Sequence, residues 1–306
     1  MPLVITLVVF YCLLLNIYKS EDGEIMTETF EKRIEKAKLA IQDAENIVIG
    51  GGAGLSAAAG IEYGGKRFIE NFAPFIEKYG LTDMYSSGFY PFPTQEERWA
   101  YWAKHILVNR FEPSSTKLYR DIFQLIKDKN NFIITTNVDS QFEKSGFSNE
   151  KVFEVQGNYG YLQCAKGCHD KVYYNELLVR EMVDKTDDCK IPSELVPKCP
   201  DCGGNMNPHL RINQYFVQNE RWYELNESYN QFLRETKGKQ LVFLELGVGF
   251  NTPGIIRYPF EQLTYQNDNA TLIRFNKEHS EGAKEIEGKL ITFSEDISAV
   301  ISILMN

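Results

Sequence analysis

Ile47-Val48-Ile49-Gly50-Gly51-Gly52-Ala53-Gly54-Leu55-Ser56-Ala57-Ala58-Ala59-Gly60-Ile61 is the stretch that decides the fold. Three β-branched residues read as a buried strand, and they run directly into glycines and then into a small-residue segment able to begin a helix. This is the layout of a first βα turn that cradles a pyrophosphate. Glycine suits such a turn because left-handed backbone angles cost it little and because, without Cβ, phosphate oxygens can approach backbone N–H groups. A glycine run alone fits an ordinary strand-to-helix loop equally well, so its meaning rests on what accompanies it.

Upstream, Phe30, Ile34, Ala37, Ile41 and Ala44 recur at helical spacing, which predicts an amphipathic helix from Thr29 into the Ile47 strand. Downstream the pattern breaks at Gly64-Gly65, and residues 68–111 are rich in Phe, Tyr and Trp. Such segments pack helices more often than they bind cofactors, so residues 62–112 read as a helical insertion, a lid beside the glycine loop. Leu118, Ile122, Leu125 and Ile126 mark another amphipathic helix, capped by Ser114 or Ser115. The strand Phe132–Thr135 follows and ends in Thr136-Asn137-Val138-Asp139. That places an amide and a carboxylate at a strand's C-terminal edge, where open α/β sheets hold ligands.

Val152 to Gly157 reads as a short strand ending in Gln156-Gly157, and helical periodicity then lapses from Asn158 to about Arg211. Beyond it, Trp222–Arg234 reads as a helix and Leu241–Leu246 as a buried strand opening onto Gly247-Val248-Gly249-Phe250-Asn251. Thr271–Phe275 is a strand ending at Asn276, and Leu290–Phe293 is the last, before a closing helix with Ile297, Val300, Ile301 and Leu304. Strand and helix alternate, so the fold class is α/β, a doubly wound parallel sheet.

At 306 residues, 43% hydrophobic and 25% charged, the chain suits one large globular domain carrying a smaller module. The net charge of −9 is spread over mixed acidic and basic residues, which leaves no phosphate-tracking basic patch and argues against a nucleic-acid partner. Residues 1–25 stand apart. Leu3–Leu15 is almost wholly apolar, short of the roughly 20 residues of a spanning helix, and it lacks the charged start and cleavage site of a secretory signal. A short membrane anchor and a translational start at Met26 both fit; residues 26–306 read as the main domain in either case.

The six cysteines are Cys12, Cys164, Cys168, Cys189, Cys199 and Cys202. Cys164-x3-Cys168, then thirty residues, then Cys199-x2-Cys202 has the ligand count and spacing of a structural tetrahedral zinc, within a module over residues 158–212. Gly167 and Gly203-Gly204 supply the tight turns. Four thiolates fill the coordination sphere, so this metal holds the fold and leaves no position for a reacting water. Paired cysteines of this kind belong to a reducing compartment, making the expected location intracellular, cytoplasmic or organellar. Cys189 and His169 lie near the set in sequence; His169 reads as a surface residue.

Taken together, Gly52-Ala53-Gly54-Leu55-Ser56 with Gly60-Ile61, Thr135-Thr136-Asn137-Val138-Asp139, Gln156-Gly157, the two cysteine pairs and Gly247-x-Gly249 resemble the sirtuin motifs in sirtuin order, over residues 30–306. The resemblance implies a Rossmann-like NAD domain with a small zinc module, and chemistry that breaks the bond between nicotinamide and ribose. Three departures qualify it. Gln156 stands where sirtuin deacylases carry a histidine; Glu62, Tyr63, Gly64 and Gly65 replace a proline, phenylalanine and arginine; and Asn213-Gln214-Tyr215-Phe216-Val217 replaces the segment that clamps acyl-lysine. None of His105, His169, His209 and His279 is near the Gln156 motif in sequence. This set is similar to the macrodomain-linked class M sirtuins, which implies mono-ADP-ribosylation of a lipoyl-carrying, glycine-cleavage-H-like protein, reversed by a partner macrodomain hydrolase.

Deacylation needs a base to draw a proton from a ribose hydroxyl, and a glutamine amide has no useful basicity. Transfer of ADP-ribose to an Asp or Glu makes no such demand, because a carboxylate of pKa about 4 is already ionised at neutral pH. On this reading Asn137 holds the ribose or the nicotinamide-side water, Gln156 the ribose hydroxyls, and Asp139 offers negative charge or a hydrogen bond near the developing cation, unless it only caps the following helix. Backbone N–H groups around Gly52, Ala53, Gly54 and Ser56 take the pyrophosphate, with Gly60, Thr136 and Asn137 beside it. Gly247, Gly249, Asn251 and Asn276 line the adenosine half, Asn276 otherwise being a turn residue. The alternatives are an NAD-dependent lysine deacylase with another base and a non-catalytic NAD or ADP-ribose-binding regulator. A dehydrogenase fits less well, since no acidic residue closes a second strand in the usual ribose-binding position.

Overall fold

The computed structural model describes residues 28–306; Cys12, Met26 and the apolar Leu3–Leu15 segment lie outside the described residues. The strands in chain order are β1 (Asn46–Gly51), β2 (Asn130–Thr135), β3 (Val152–Glu154), β4 (Gly157–Cys164), β5 (Val172–Tyr174), β6 (Met206–Leu210), β7 (Leu241–Leu246), β8 (Ala270–Phe275) and β9 (Leu290–Phe293). The helices are α1 (Phe30–Asp43), α2 (Ala53–Ala58), α3 (Gly65–Tyr79), α4 (Met84–Ser87), α5 (Gln95–Ile106), α6 (Lys117–Ile126), α7 (Gln141–Lys144), α8 (Glu176–Asp184), α9 (Glu220–Glu235), α10 (Arg257–Gln266) and α11 (Ile297–Leu304). A π-helical turn, Leu107–Phe111, extends α5. Among the described residues no helix is long and apolar enough to cross a membrane.

Six strands form one sheet in the order β3-β2-β1-β7-β8-β9, all parallel. Numbered within the sheet, this is the doubly wound order of dinucleotide-binding domains. Strand periodicity splits the β1 side chains between two cores: Ile47 and Ile49 pack with Ile34, Ile41, Ile122 and Ile301 from α1, α6 and α11, while Val48 packs with Tyr229, Phe232 and Phe260 from α9 and α10. Every residue of β1 and β7 is buried, as strands covered on both faces must be.

The order in which strands are added reverses between β1 and β7, and there the two βα loops touch. Gly54 N–H donates to Gly247 O at 2.9 Å and Gly52 N–H to Leu246 O at 3.0 Å. Gly247 has φ +62°, and a Cβ on it would lie 2.2 Å from Leu55 N. Only glycine on both sides lets the loops approach this closely.

The second sheet is antiparallel, in the order β5-β4-β6. Its Tyr159, Leu162 and Cys164 share a core with Phe68, Phe72, Trp99, Tyr101 and Ile106 of the insertion and with Val179 and Met182 of α8. Residues 65–111 carry α3, α4, α5 and the π-helical turn, and they pack on the cysteine-bearing sheet rather than on the main one. Three sequence expectations change here. The segment 158–211 contains a helix, α8, whose two buried residues are too few to declare a period. The α6 N-cap is Thr116 rather than Ser114 or Ser115; Gln141 Oε1, far along the chain, accepts the Thr116 N–H at 2.9 Å. And β3 stops at Glu154, leaving Gln156 in the turn to β4.

The Sγ atoms of Cys164, Cys168, Cys199 and Cys202 all lie within 4.8 Å of one another, with Cys164–Cys202 at 3.7 Å and Cys168–Cys199 at 3.6 Å. A tetrahedron of metal–sulfur bonds near 2.3 Å has sulfur–sulfur edges of about 3.8 Å, so the donor set fits one structural zinc. Cys189 is not one of the four; it is buried against the lid core. His169 is not a free surface residue. Its Nδ1 accepts the Lys171 N–H at 3.1 Å, which puts the ring proton on Nε2, 3.3 Å from Cys199 Sγ. A donor so placed stabilises the thiolate.

Because the cysteine sheet and the lid share one core, chelating the metal is expected to lower the Tm and loosen the lid. Thermal unfolding with and without chelator, alongside a metal assay reading one zinc per chain, checks this; an unchanged Tm in metal-free protein would contradict it. Gly247→Ala is expected to destabilise by about 2–4 kcal/mol through backbone strain and overpacking, read as a fall in the denaturation midpoint.

Candidate active site

The loops after β1, β2, β3, β7 and β8 all leave the same edge of the sheet, so the residues they carry converge at the switch point. At its centre is a hydrogen-bonded chain. Ser56 Oγ donates to Asp139 Oδ2 at 2.6 Å and lies 3.0 Å from Tyr119 OH; Asn137 Nδ2 donates to Tyr119 OH at 3.2 Å and to Gly52 O at 2.9 Å. Ser56 has one proton and gives it to the carboxylate, so Tyr119 must donate to Ser56 and accept from Asn137. The direction is therefore fixed: Asn137 to Tyr119 to Ser56 to Asp139. With both amide protons of Asn137 engaged, its Oδ1, which has no hydrogen bond among the described residues, is the atom left to face a ligand.

Asp139 is 5% exposed. Its Oδ1 accepts the Gln141 N–H at 3.0 Å, so it does cap α7 as well as terminate the chain of donors. Burial raises its pKa above the ordinary carboxylate value, against the lowering effect of Ser56 and the Gln141 amide. Burial likewise holds the Tyr119 phenol well above its usual pKa, so it stays protonated. Sequence reading missed Tyr119 because positions 119, 122 and 126 share one apolar helix face; the signal was a hydroxyl on the first turn of a helix whose start lies at the ligand edge.

Gln156 sits in the turn between β3 and β4. Its main-chain carbonyl accepts the Arg211 N–H at 3.0 Å, and among the described residues its side-chain amide has no partner. Gly157 follows with φ +97°, where a Cβ would lie 2.0 Å from His209 O, so this turn admits only glycine and fixes the direction in which Gln156 leaves the backbone.

His105 belongs to a second hydrogen-bonded chain, and His209 lies on β6 opposite Asn158. Tyr101 OH donates to Met84 O at 2.8 Å, hence accepts from His105 Nδ1–H at 3.1 Å; His105 Nε2 then accepts Tyr159 OH at 2.8 Å, and Tyr159 accepts Tyr63 OH at 2.8 Å. Burial drives the His105 pKa down to about 3. Its one basic nitrogen is occupied by Tyr159, and a neutral, enclosed imidazole cannot serve as a base. His209 Nε2–H donates to Val217 O at 2.8 Å. No histidine among the described residues hydrogen-bonds to Asn137, Asp139 or Gln156.

The other predicted ligand residues fall into two groups. Ala53 and Ser56 lie on α2, Thr136 beside Asn137, and Gly249 and Asn251 on the exposed loop after β7. Gly52, Gly54 and Gly247 serve the contact between loops, and the amides of Gly52 and Gly54 are already engaged by Leu246 O and Gly247 O. This corrects the expectation that they present N–H groups to a pyrophosphate. Gly60 ends α2, with Ile61 N–H returning to Ser56 O at 2.8 Å. Asn276 ties two loops together: Nδ2 donates to Val248 O at 2.8 Å and Oδ1 accepts the Glu278 and His279 N–H groups at 3.0 and 2.8 Å.

The loop after β8 is anchored by charges no spacing announced. Arg274 and Glu245, both fully buried, pair through two bonds of 2.8 and 2.9 Å, and Arg274 also donates to Glu281 O at 2.6 Å. Arg67, beyond the glycine loop, gives its guanidinium to Glu62 O, Asn109 Oδ1 and Val108 O at 2.8, 2.8 and 2.6 Å, joining the exit of that loop to the lid.

Comparison with known proteins agrees with this geometry. The model of the Sir2 family matches residues 52–233. The chain is 35% identical over 272 residues to a protein ADP-ribosyltransferase of Staphylococcus aureus, covering 89% of this chain and 86% of that protein. It is 32% identical over 272 residues to a probable bifunctional ADP-ribose hydrolase/ADP-ribosyltransferase of Fusarium oxysporum f. sp. cubense, of which it spans 45%. It is also 30% identical over 184 residues, 59% of this chain, to an NAD-dependent protein deacetylase of Clostridium perfringens. A crystal structure of a Sir2 homologue in complex with NAD aligns over 94% of this chain and 95% of its own with TM-score 0.56 and 16% identity, a likeness of fold. Sheet order, converging loops, cysteine cluster and family match coincide: the chain belongs to the Sir2 family.

Proposed function

We propose that the protein is an NAD-dependent ADP-ribosyltransferase that breaks the bond between nicotinamide and ribose and transfers ADP-ribose to a carboxylate of a protein acceptor. The observation that carries this reading is the unpartnered Gln156 amide, with both ring nitrogens of His105 and Nε2 of His209 engaged elsewhere among the described residues. Two relatives named for ADP-ribosyl transfer match more of the chain than relatives named for deacetylation or deacylation do.

In the reaction the C1′–N bond breaks with its electron pair going to nicotinamide, and an ionised carboxylate oxygen of the acceptor supplies the pair for the new C1′–O bond. No proton has to be removed from the nucleophile. Asn137 Oδ1 is placed to accept a hydrogen bond or to face the developing positive charge, held there because its amide protons are engaged by Gly52 and Tyr119. Gln156 orients the ribose hydroxyls by donating and accepting hydrogen bonds. Asp139, buried and tied to Ser56, steadies Asn137 through Tyr119 and contributes a nearby negative field.

For the acceptor, we propose an Asp or Glu of a lipoyl-carrying, glycine-cleavage-H-like protein, with a macrodomain ADP-ribosyl hydrolase as the partner that reverses the modification. A relative whose name joins hydrolase to transferase supports the pairing of the two activities.

Incubation with labelled NAD and a lipoylated carrier is expected to put label on the carrier and release nicotinamide, and Asn137→Ala or Gln156→Ala to reduce that transfer by about 100-fold with the Tm held. Full transfer in either variant would overturn the assigned roles. Release of O-acetyl-ADP-ribose from an acetyl-lysine peptide at sirtuin-like rates would make the protein a deacylase, and binding of NAD with no nicotinamide released would make it a regulator. Tyr119→Phe removes the middle of the donor chain; kcat is expected to fall about tenfold or more as Asn137 loses its alignment, with a stability loss of about 1 kcal/mol, measured by steady-state kinetics and thermal unfolding.

A further inference from the structure

One partly buried carboxylate near the site has no part in the roles above. Glu154 ends β3, two residues before Gln156. Its Oε1 accepts Ser140 Oγ–H at 3.0 Å and its Oε2 accepts Asn158 Nδ2–H at 2.5 Å, while Asn158 Nδ2 also donates to Ser140 Oγ at 2.7 Å. The three side chains form a closed ring. Ser140 has one proton to give and the Asn158 amide two, and all three find acceptors only if both Glu154 oxygens accept. As a carboxylate Glu154 meets every proton of the ring, whereas as a carboxylic acid it leaves one without an acceptor. Asn158 cannot turn over to rescue it, because its Oδ1 already accepts the Gly160 N–H at 2.7 Å and Arg110 Nε–H at 3.4 Å.

The positions of the three give the ring its meaning. Ser140 directly follows Asp139 and adopts φ 55°, a left-handed conformation that a serine holds only when something fixes it. Glu154 and Asn158 flank the Gln156-Gly157 turn on either side. The ring therefore bridges the loop that carries Asn137 and Asp139 to the turn that carries Gln156. A backbone bond from Tyr159 N–H to Val138 O at 3.0 Å lies alongside it.

We propose that Glu154 is a positioning residue for the reaction: its carboxylate sets the separation of the Asn137–Asp139 loop from the Gln156 turn, and the site is assembled only while Glu154 is ionised. This role rests on the functional reading given above. Charged groups facing Glu154 are Arg110 from the π-helical turn, which favours ionisation, and Glu143 of α7, which opposes it; burial outweighs the help of Asn158, Ser140 and Arg110 and raises the Glu154 pKa to about 7. Protonation takes an acceptor out of the ring: the Glu154 hydroxyl has to donate to Ser140 Oγ, and the Ser140 proton, on a buried side chain, then loses its partner. The signs follow. Activity rises with pH through about 7 as the ring closes, whereas the folded state, whose pKa here lies above the unfolded value, gives up stability as pH rises toward the same point.

The test is nicotinamide release from NAD in the presence of the lipoylated carrier, with the full chain between pH 5.5 and 8.5, comparing wild type, Glu154→Gln and Ser140→Ala. In wild type kcat is expected to climb and level off near pH 7 with KM for NAD nearly constant. Glu154→Gln puts an N–H where the ring needs an acceptor, so kcat should fall by about 10- to 100-fold and lose the titration. Ser140→Ala keeps the bond from Glu154 to Asn158 and should lose less. Thermal unfolding of wild type minus Glu154→Gln across the same range should show the opposite pH slope. A Glu154→Gln enzyme with wild-type kcat, or with reduced kcat and an intact titration near pH 7, would overturn this role alone. A wild type that releases no nicotinamide at any pH would overturn the functional reading and this role with it.

Discussion

Gly54 and Gly247 meet backbone to backbone, with the Gly54 amide 2.9 Å from Gly247 O, at the place where the sheet reverses its winding. Everything at the ligand edge inherits its geometry from that contact. It sets how closely the loops after β1 and β7 approach, and thereby where Gly52 O stands to receive the Asn137 amide. A side chain at either glycine would push the loops apart, and Asn137, Tyr119, Ser56 and Asp139 would lose their common frame. The small residues of the quoted stretch are thus first a packing device, and the crevice is a consequence of the packing.

The lid and the cysteine module are best regarded as one body. Trp99 and Tyr101 of α5 pack with Cys164 and Leu162 of β4, and Tyr63 and Tyr159, one from each region, are joined through their hydroxyls at 2.8 Å. A metal held by the four thiolates acts at a distance: it stiffens β4, which begins at Gly157 directly after Gln156. Structural metal and reacting edge are connected through one short strand.

Much of this was legible in the chain itself. β7 and β9 begin and end where apolar runs do, and the parallel sheet follows from alternation. The cysteine spacing is local information, and so is the glutamine in place of histidine. What escaped is non-local or masked by composition. Helix α8 has two buried residues, Val179 and Met182, which define no period. Tyr119 hides within an apolar stripe. Gln141, far along the chain, holds the cap residue Thr116 of α6, and the ring of Glu154, Ser140 and Asn158 joins three residues whose neighbourhood only the turn at Gly157 creates. Glycines at a ligand edge read as phosphate binders until their amides are seen to be engaged by neighbouring strands.

The buried pair of Glu245 and Arg274 has a consequence for assembly. The two residues are register partners on adjacent strands, each fully enclosed. A slip of β8 against β7 by one position would turn Arg274 to the opposite side of the sheet and strand an uncompensated charge in hydrocarbon, a penalty of about 3–5 kcal/mol. Neighbouring side chains in those strands, Phe243, Leu244, Leu272 and Ile273, are apolar and close to interchangeable, and they discriminate poorly between alignments. The ion pair therefore favours the observed alignment of β7 and β8 over a slipped one.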